Sequence, residues 1–435
     1  MTRKESGVGV RKESAPAFHR LGPADLFSRF LPAELFAGAV LHGNLMWTPP
    51  LLVWAAVLSA WSAAGTLLDR FTGVRAGLSR LSGGAPIGST YAGFAAALRR
   101  AGGDLLDIVR GHLRRRWSAA AFERSVDRPV FAVDGTRIET ARTAANQRAF
   151  GWGGKPGGPP QMMLVVVRDV DSGAPWDFRI ADGSAAERTL LRQMLDGLPA
   201  GARIVADAGL LGYDLLAEIL AGGRSFLLRV GKNVSLLRRL GFAARERSDT
   251  VYLWPGTARG RPPLVLRQIR LRLGRRRACL LTDAGPSQLS DAAAARLYRR
   301  RWGIEVFYRS LKQTMVRRTM RSGDPDNARA ELAWSVVGLW VLTLAAAERF
   351  AARRRDPLRL SPAGALRRLR AALDAPQALD LTVLDDAVLD DYRRRRPKTA
   401  RRWPRKRTRR PPGLPRVRRA TPWEIRLAGS FKPAA

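Results

Sequence analysis

Over residues 1 to about 125, apolar side chains recur at three- and four-residue spacings, as in DLFSRFL (25–31) and YAGFAAALRR (91–100). This spacing predicts amphipathic helices. Gly and Pro clusters such as GGAPIG (83–88) separate them, and Ser89 or Thr90 can cap the helix that follows. At Pro129 the texture changes. Residues 130–133 form a short continuous apolar run ended by Asp134-Gly135, which predicts a buried strand. Further strands are expected at 162–167, 176–180, 203–206 and 226–230, with helices at 185–195 and 210–220. Three strands, a helix, a strand, a helix and a strand make an α/β order with a mixed sheet.

From 231 to 283 the pattern changes again. Arg270 and Arg272 alternate with Ile269, Leu271 and Leu273, the signature of a half-buried strand with one arginine face. Thirteen Lys and Arg lie between Lys232 and Arg277, against only Glu246 and Asp249, so this stretch reads as a basic β-rich insertion. Helical texture returns from 290 to 350. Past Tyr392 a run with 15 basic residues, no acids and several prolines, ending at Arg419, is expected to be extended or disordered when free. The resulting division is an N-terminal helical, DNA-binding domain (1–125), a core in two parts (126–230 and 284–350) around the insertion (231–283), and a C-terminal helical region with a basic tail (351–435).

Two apolar runs bear on location. Residues 51–68 carry no charge over 18 positions, the lower limit for crossing a bilayer. Pro49-Pro50 precede them and half are Ala, Ser, Gly or Thr, so a core helix is expected there, and another at 333–347. The N-terminus lacks the apolar core of a secretion signal. A cytoplasmic, nucleoid-associated protein with no membrane partner is the expectation.

Charge narrows the function. The 435 residues hold 76 Lys and Arg against 37 Asp and Glu, a formal charge of +39, which points to nucleic acid as the partner. One cysteine, Cys279, and three histidines exclude a disulfide framework and a Cys-based zinc site. A metal would rest on carboxylates, which select hard cations such as Mg²⁺ or Mn²⁺. Asp134 and Asp207 each follow a predicted strand, where active sites of open α/β sheets gather. Asp283 does the same, and an Asp there is also an ordinary turn former.

The segment YRRRWGIEVFYRSLK (298–312) reads as one helix. At 100° per residue Tyr298, Arg301, Glu305 and Lys312 share a stripe about 60° wide, beside an apolar set of Leu297, Ile304, Tyr308, Leu311 and Met315. Such a helix can pack on a sheet and open its stripe onto a cleft; a solvated charged face is the alternative.

The spacing Tyr-x2-Arg-x3-Glu-x6-Lys at Tyr298, Arg301, Glu305 and Lys312 resembles the signature of DDE-class insertion-sequence transposases with a Tyr-Arg-Glu-Lys motif. Val133-Asp134-Gly135-Thr136 resembles that family's first Asp segment and Asp207-Ala208-Gly209 with Gly212-Tyr213 its second, while Trp302 after Arg301 fits as well. The resemblance covers about 130–312. It implies an RNase H-like core split by the β-rich insertion, with Asp134, Asp207 and Glu305 as catalytic ligands of two Mg²⁺ or Mn²⁺ ions. Two such ions can activate the attacking oxygen and stabilise the leaving oxygen at phosphorus. By the same resemblance the protein cuts at transposon ends and joins the freed 3′-hydroxyls to target DNA. Tyr298, Arg301, Trp302 and Lys312 would then contact end DNA, and Arg270 and Arg272 are further candidate DNA contacts. The implied partners are double-stranded DNA (terminal inverted repeats and target) and a second copy of the chain, with the apolar helix at 331–350 as a possible dimer contact.

Other features have plainer readings. Trp254 is a candidate for stacking on a flipped base or a packed strand aromatic. The GWGGKP stretch (151–156) lacks the spacing of a phosphate loop. Asp385, Asp386, Asp390 and Asp391 read as local charge pairing, His112 as part of a basic helix face and Cys279 as a buried small side chain. The tail reads as a DNA anchor, and residues 89–116 as the better candidates for recognising the inverted repeats. A nuclease without strand transfer and a non-catalytic basic DNA-binding protein remain as alternatives.

Overall fold

The structure is a computed structural model, which describes residues 23–39, 46–81, 86–119, 128–153, 157–273, 276–374, 381–389 and 413–431. Four helices open the chain: α1 (Pro23–Phe30), α2 (Pro49–Trp61), α3 (Leu67–Leu81) and α4 (Tyr91–Ala119). Then come β1 (Val130–Glu139), α5 (Ala144–Phe150), β2 (Gln161–Asp169), β3 (Pro175–Asp182), α6 (Glu187–Leu195), β4 (Arg203–Ala206), α7 (Tyr213–Ala221) and β5 (Ser225–Val230). This is the order the alternation of strand and helix textures predicts, except for α5, a seven-residue helix between β1 and β2 that those textures do not predict. The insertion supplies β6 (Ser235–Arg238), β7 (Thr250–Leu253), β8 (Leu264–Leu273) and β9 (Arg276–Thr282). Helices α8 (Asp291–Arg300), α9 (Gly303–Arg309), α10 (Pro325–Ala352) and α11 (Pro362–Asp374) follow, then β10 (Arg416–Arg419) and α12 (Pro422–Gly429).

The strands form one sheet in the order β10-β6-β7-β8-β9-β5-β4-β1-β2-β3. β1 runs antiparallel to β2, and β2 to β3, while β4 and β5 lie parallel to β1. Burial explains the textures: Val130–Val133 and Arg203–Ala206 are covered on both faces, so they read as continuous apolar runs. The insertion is β-rich as expected and continues the sheet, because β9 pairs antiparallel with β5 and β8 with β9.

The long helix α10 organises the helical side. Asp324 caps it, accepting from Asn327 N, and Pro325 occupies its first position, where no N–H partner is needed. It is apolar around its whole circumference, as a helix enclosed by protein must be. It is long and apolar enough to cross a membrane, and 89% of its apolar window is buried in the fold. On one side α2 presses so close that a Cβ on Gly338 would stand 2.8 Å from Ala60 Cβ, and Trp61 Nε1 donates to Gly338 O at 2.9 Å. The apolar run expected at 51–68 is therefore a core helix, ending at Trp61. Because residues 332–347 are buried within the same chain, the suggestion that 331–350 forms a dimer contact is overturned.

Arg317, just before α10, is 1% exposed. It donates to Ser335 Oγ and to the carbonyls of Met315, Ser59 and Ala60, tying α2 to α10. Burial first, and then the charge of Arg70, pull its guanidinium down to about 10. Every bond it makes is to a neutral group, so its cost is offset by four satisfied acceptors.

The end of the chain departs from expectation. Residues 390–412 lie outside the described set, Asp390 and Asp391 among them, but Arg416–Arg419 form β10, parallel to β6. An arginine-rich strand survives here because Glu424, 3% exposed, accepts from Arg418 and Arg259. Thr421 and Glu424 complete a capping box at the start of α12. The Arg418 bond, foremost, holds the Glu424 carboxyl down to about 2. A depressed carboxyl stabilises above its unfolded value and that stabilisation fades as pH falls towards 2. Replacing Glu424 by Ala is expected to free 413–431 while leaving the rest folded; limited proteolysis should then cut near residue 413 at a much lower protease concentration.

Candidate active site

Val133 of β1 and Ala206 of β4 are register partners on two adjacent parallel strands. The next residue on each is an aspartate, so Asp134 and Asp207 stand side by side, one inter-strand spacing of about 4.8 Å apart along the backbone. Asp207 follows the end of β4, whereas β1 runs on through Asp134, which pairs with Val166 of β2, as far as Glu139, so the strand end expected at Asp134-Gly135 is overturned. Each carboxylate accepts from a backbone N–H just after it, Gly135 N at 3.0 Å for Asp134 and Ala208 N at 2.8 Å for Asp207.

The third acid comes from across the sheet. Tyr308 of α9 donates its buried hydroxyl to Asp134 O at 2.6 Å, which pins α9 over β1. One turn earlier on the same helix stands Glu305, which accepts from Arg301 Nη2 at 3.1 Å. The stretch 298–312 is not the single helix that its sequence suggests. α8 ends at Arg300, the chain turns at Arg301-Trp302, α9 begins at Gly303 and a π-helical turn covers Ser310–Thr314. Gly303 explains the break, since a Cβ there would lie 2.3 Å from the Arg168 guanidinium. The π turn in turn re-aims the last member of the stripe, so Lys312 Nζ donates to Thr136 Oγ1 at 2.6 Å, two residues from Asp134.

Electrostatics ties the group together. Burial works against the Arg301 charge, but Tyr298, Asp207, Glu305 and Asp134 together hold it above its ordinary value. Its guanidinium carbon lies 5.3 Å from the Tyr298 ring centroid. Burial also pushes the Tyr298 hydroxyl up, with Asp207 adding to it. Lys312 is pulled down by burial and by Arg318. Tyr298, Arg301, Glu305 and Lys312 therefore each come within electrostatic reach of one or both aspartates despite the broken helix.

A fourth carboxylate went unseen in the sequence. Glu187, in the first turn of α6, fills the space over two glycines. A Cβ on Gly135 would stand 2.7 Å from Glu187 Oε1, and one on Gly209 would stand 3.5 Å from Oε2. Its carboxyl is raised, by burial first and with a contribution from Asp207. Nothing in its local sequence marks it; only the packing of α6 against β1, β2 and β3 brings it in.

Asp134 carries the clearest consequence. Burial, then the charge of Glu187, raises its carboxyl to about 6, with Glu305 adding a smaller push. A carboxyl raised in the folded state stabilises the fold only while protonated, so stability should fall as pH rises from about 4 to 6. Asp134→Asn removes that loss. In the presence of a chelator the variant should melt above the parent at pH 7, by roughly 1–2 kcal/mol, and equal it near pH 4.

The remaining candidates lie apart. Trp302 is 59% exposed at the turn between α8 and α9. Arg270 and Arg272 are exposed on β8, as their alternation implies, but β8 stands three strands from β4, about 14 Å away. Trp254 is 2% exposed, with Nε1 donating to Ala258 O and Arg261 O, which makes it a packed strand aromatic. Asp385 is buried against Arg349 and Arg353, and Cys279 is buried.

Among the described residues, no group of three or more His, Cys, Asp or Glu side chains is arranged to hold a metal ion. Asp134, Asp207 and Glu305 each turn an oxygen to a protein donor instead. The donor set nonetheless suits a hard divalent cation: it is all carboxylate and partly desolvated, and the lack of a Cβ at Gly135 admits Glu187 as a further carboxylate beside Asp134.

A family model described as a transposase DDE domain matches residues 125–341. The chain carries a DDE-class transposase domain. That stretch contains Asp134, Glu187, Asp207, Tyr298, Arg301, Glu305 and Lys312. The chain is also 28% identical over 222 residues to transposase InsG of insertion sequence element IS4 from Escherichia coli (strain K12). The match covers 48% of this chain and 50% of the relative, so the chain spans about half the length of the curated relative it matches. Among solved structures, a piggyBac transposase synaptic complex with hairpin DNA is similar at a TM-score of 0.40 and 11% identity, over 86% of this chain and 87% of that one. That likeness is too slight to bear on the fold. The DDE-class domain thus joins a mixed α/β sheet, which carries Asp134 and leads into Asp207, to helices that carry Glu187 and Glu305.

Proposed function

We propose that the protein is a DNA transposase that cuts at transposon ends and joins the 3′-hydroxyl ends to target DNA. The observation that carries this reading is the convergence of Asp134 and Asp207, on adjacent parallel strands, with Glu305 on a helix pinned to β1. An RNase H-like core is supported by the strand order β5-β4-β1-β2-β3, antiparallel within β1–β3 and parallel across β1, β4 and β5. In this reading 126–230 and 284–350 form the core, 231–283 the insertion, 1–125 a helical DNA-binding region and 351–435 an accessory helical and basic region.

Asp134, Asp207 and Glu305 would hold divalent metal, Mg²⁺ or Mn²⁺, as two ions. When bound, the metal supplies activation of the attacking oxygen and charge stabilisation at phosphorus. The chain's own residues do the rest. Arg301 reaches all three acids electrostatically and offers a guanidinium fork suited to phosphate oxygens. Lys312 brings a point charge beside Thr136, and Tyr298 an aromatic hydroxyl beside Arg301. Tyr308 does not face the DNA; it fixes α9 so that Glu305 stays opposite the aspartates. Trp302, Arg270 and Arg272 are exposed side chains on which DNA can rest, and the overall charge of +39 supplies salt-sensitive attraction to it. The working unit is a homodimer on two transposon ends, in the cytoplasm on the nucleoid.

A pre-cut end with a free 3′-hydroxyl tests the central claim. Given Mg²⁺ and a supercoiled plasmid, the purified protein should insert that end into the plasmid. Cleavage of an uncut end without such joining would leave a nuclease, and binding without either reaction a packaging protein.

A further inference from the structure

Behind α9, on the side away from Glu305, lies a cavity of about 240 Å³ between the end of β2, α9, α10 and the 357–362 segment. Arg168 lines it, and its side chain is 8% exposed. The guanidinium is seated between two glycines: a Cβ on Gly303 would lie 2.3 Å from Nη1 and one on Gly173 2.6 Å from Nη2. Nη1 is buried and has no hydrogen-bond partner. The strand register shifts at Val167/Arg168, a bulge of the kind that re-aims a side chain.

The nearby carboxylates are committed elsewhere. Asp169 accepts from Ser172 N and Ser172 Oγ, both at 2.6 Å, and Asp171 pairs with Arg300. Asp169, next in the chain, offers Arg168 a counter-charge through space, but the buried Nη1 keeps an unmade hydrogen bond, which is costly. The opposite wall is apolar, with Val306, Phe307 and Leu358 facing it beside Thr343.

We propose that this cavity binds a small organic anion, with a carboxylate on Arg168 and a short apolar body against Val306, Phe307 and Leu358. The class follows from the lining. Of the three arginines in the lining, Arg300 is paired with Asp171 and Arg299 is exposed, so the one buried cation, Arg168, sets a single negative charge at one end; the apolar wall calls for a hydrocarbon body, and the volume falls just below the roughly 300–1,000 Å³ of drug-sized sites. Gly303, the first residue of the helix that bears Glu305, forms part of the wall, so the occupant sits on the back of that helix. The site is separate from the acid cluster and does not depend on the activity proposed above.

The test uses the full chain without DNA or metal and reads thermal unfolding as hexanoate is added. A saturable rise in melting temperature, with a dissociation constant of about 10 mM or tighter, is expected. Acetate and hexanol, each offering one half of the ligand, should bind at least about tenfold more weakly. Arg168→Met should abolish the hexanoate response. Should that variant fail to fold, Leu358→Trp, which fills the cavity from its rim, should abolish it with the circular dichroism unchanged. No saturable response of the parent protein, or an equal response in either folded variant, overturns the proposal. Inorganic phosphate binding as tightly as hexanoate also overturns it, since the apolar wall would then play no part.

Discussion

Glu305→Gln is expected to lower divalent-ion-dependent cleavage of transposon-end DNA by at least about 10²-fold while leaving DNA affinity within a factor of a few. The substitution keeps shape and hydrogen-bonding capacity but removes the charge that a hard cation needs. Stability should barely change. The only ion pair that Glu305 makes among the described residues is with Arg301 at 3.1 Å, four residues earlier, and the Glu305 side chain is 36% exposed. Such pairs contribute roughly 0.3–0.5 kcal/mol. Cleavage of a labelled end duplex, with binding followed by filter retention, separates the two effects. Cleavage at the parental rate would remove Glu305 from the site, whereas equal loss of binding and cleavage would make it a DNA contact.

The largest stability effect is expected at Asp177. This carboxylate is 1% exposed at the start of β3 and pairs with Arg110 and Arg114 of α4 and with Arg179 at 3.0 Å. It also accepts from Phe178 N at 2.7 Å. Replacing it by Ala leaves three guanidinium groups crowded together without a counter-charge. The expected loss is about 3–5 kcal/mol, measured as a lower urea midpoint. Removing Arg179 as well should recover part of that loss, because one of the stranded charges goes with it. An unchanged midpoint in the single variant would mean that α4 docks on β3 through apolar contacts alone.

These two sites show how differently the chain discloses its parts. Asp177 gives no sign of its role, since two of its three arginine partners, Arg110 and Arg114, lie more than sixty residues earlier, on a helix whose docking the local pattern does not specify. Glu305 was legible because its companions stand at fixed spacings on one short stretch. Even there the inference about shape failed. The period of an ideal helix places Tyr298 and Lys312 on one stripe, whereas Gly303 breaks the helix and a π turn carries Lys312 round to Thr136. The residues meet all the same, through a different path of the backbone. Trp254 was undecided between two readings because a buried aromatic and a stacking aromatic have the same sequence pattern; two carbonyl acceptors and 2% exposure decided between them.

The basic tail makes the complementary point. Charge density alone predicted an extended chain up to Arg419, and it does so correctly for any segment without partners. Glu424 supplies a buried carboxylate for Arg418, and β6 offers a free edge, so four of those residues become a strand. Neither partner is visible from composition.

By itself, the sequence determined the α/β succession, the strand-end placement of Asp207, the candidate acid and basic residues around Glu305, and the attraction to polyanions; Asp134 lies within β1, which runs on to Glu139. These follow from local rules: apolar period, turn residues and net charge act over a few positions at a time. Tertiary structure alone decided that Glu187 lies over Gly135 and Gly209, that α10 is sealed inside the chain, and that Arg168 keeps an unbonded, buried N–H beside a cavity. Each of these depends on which distant surfaces come within a few ångströms, and that is set by packing of whole elements, where one glycine or one bulge redirects a side chain.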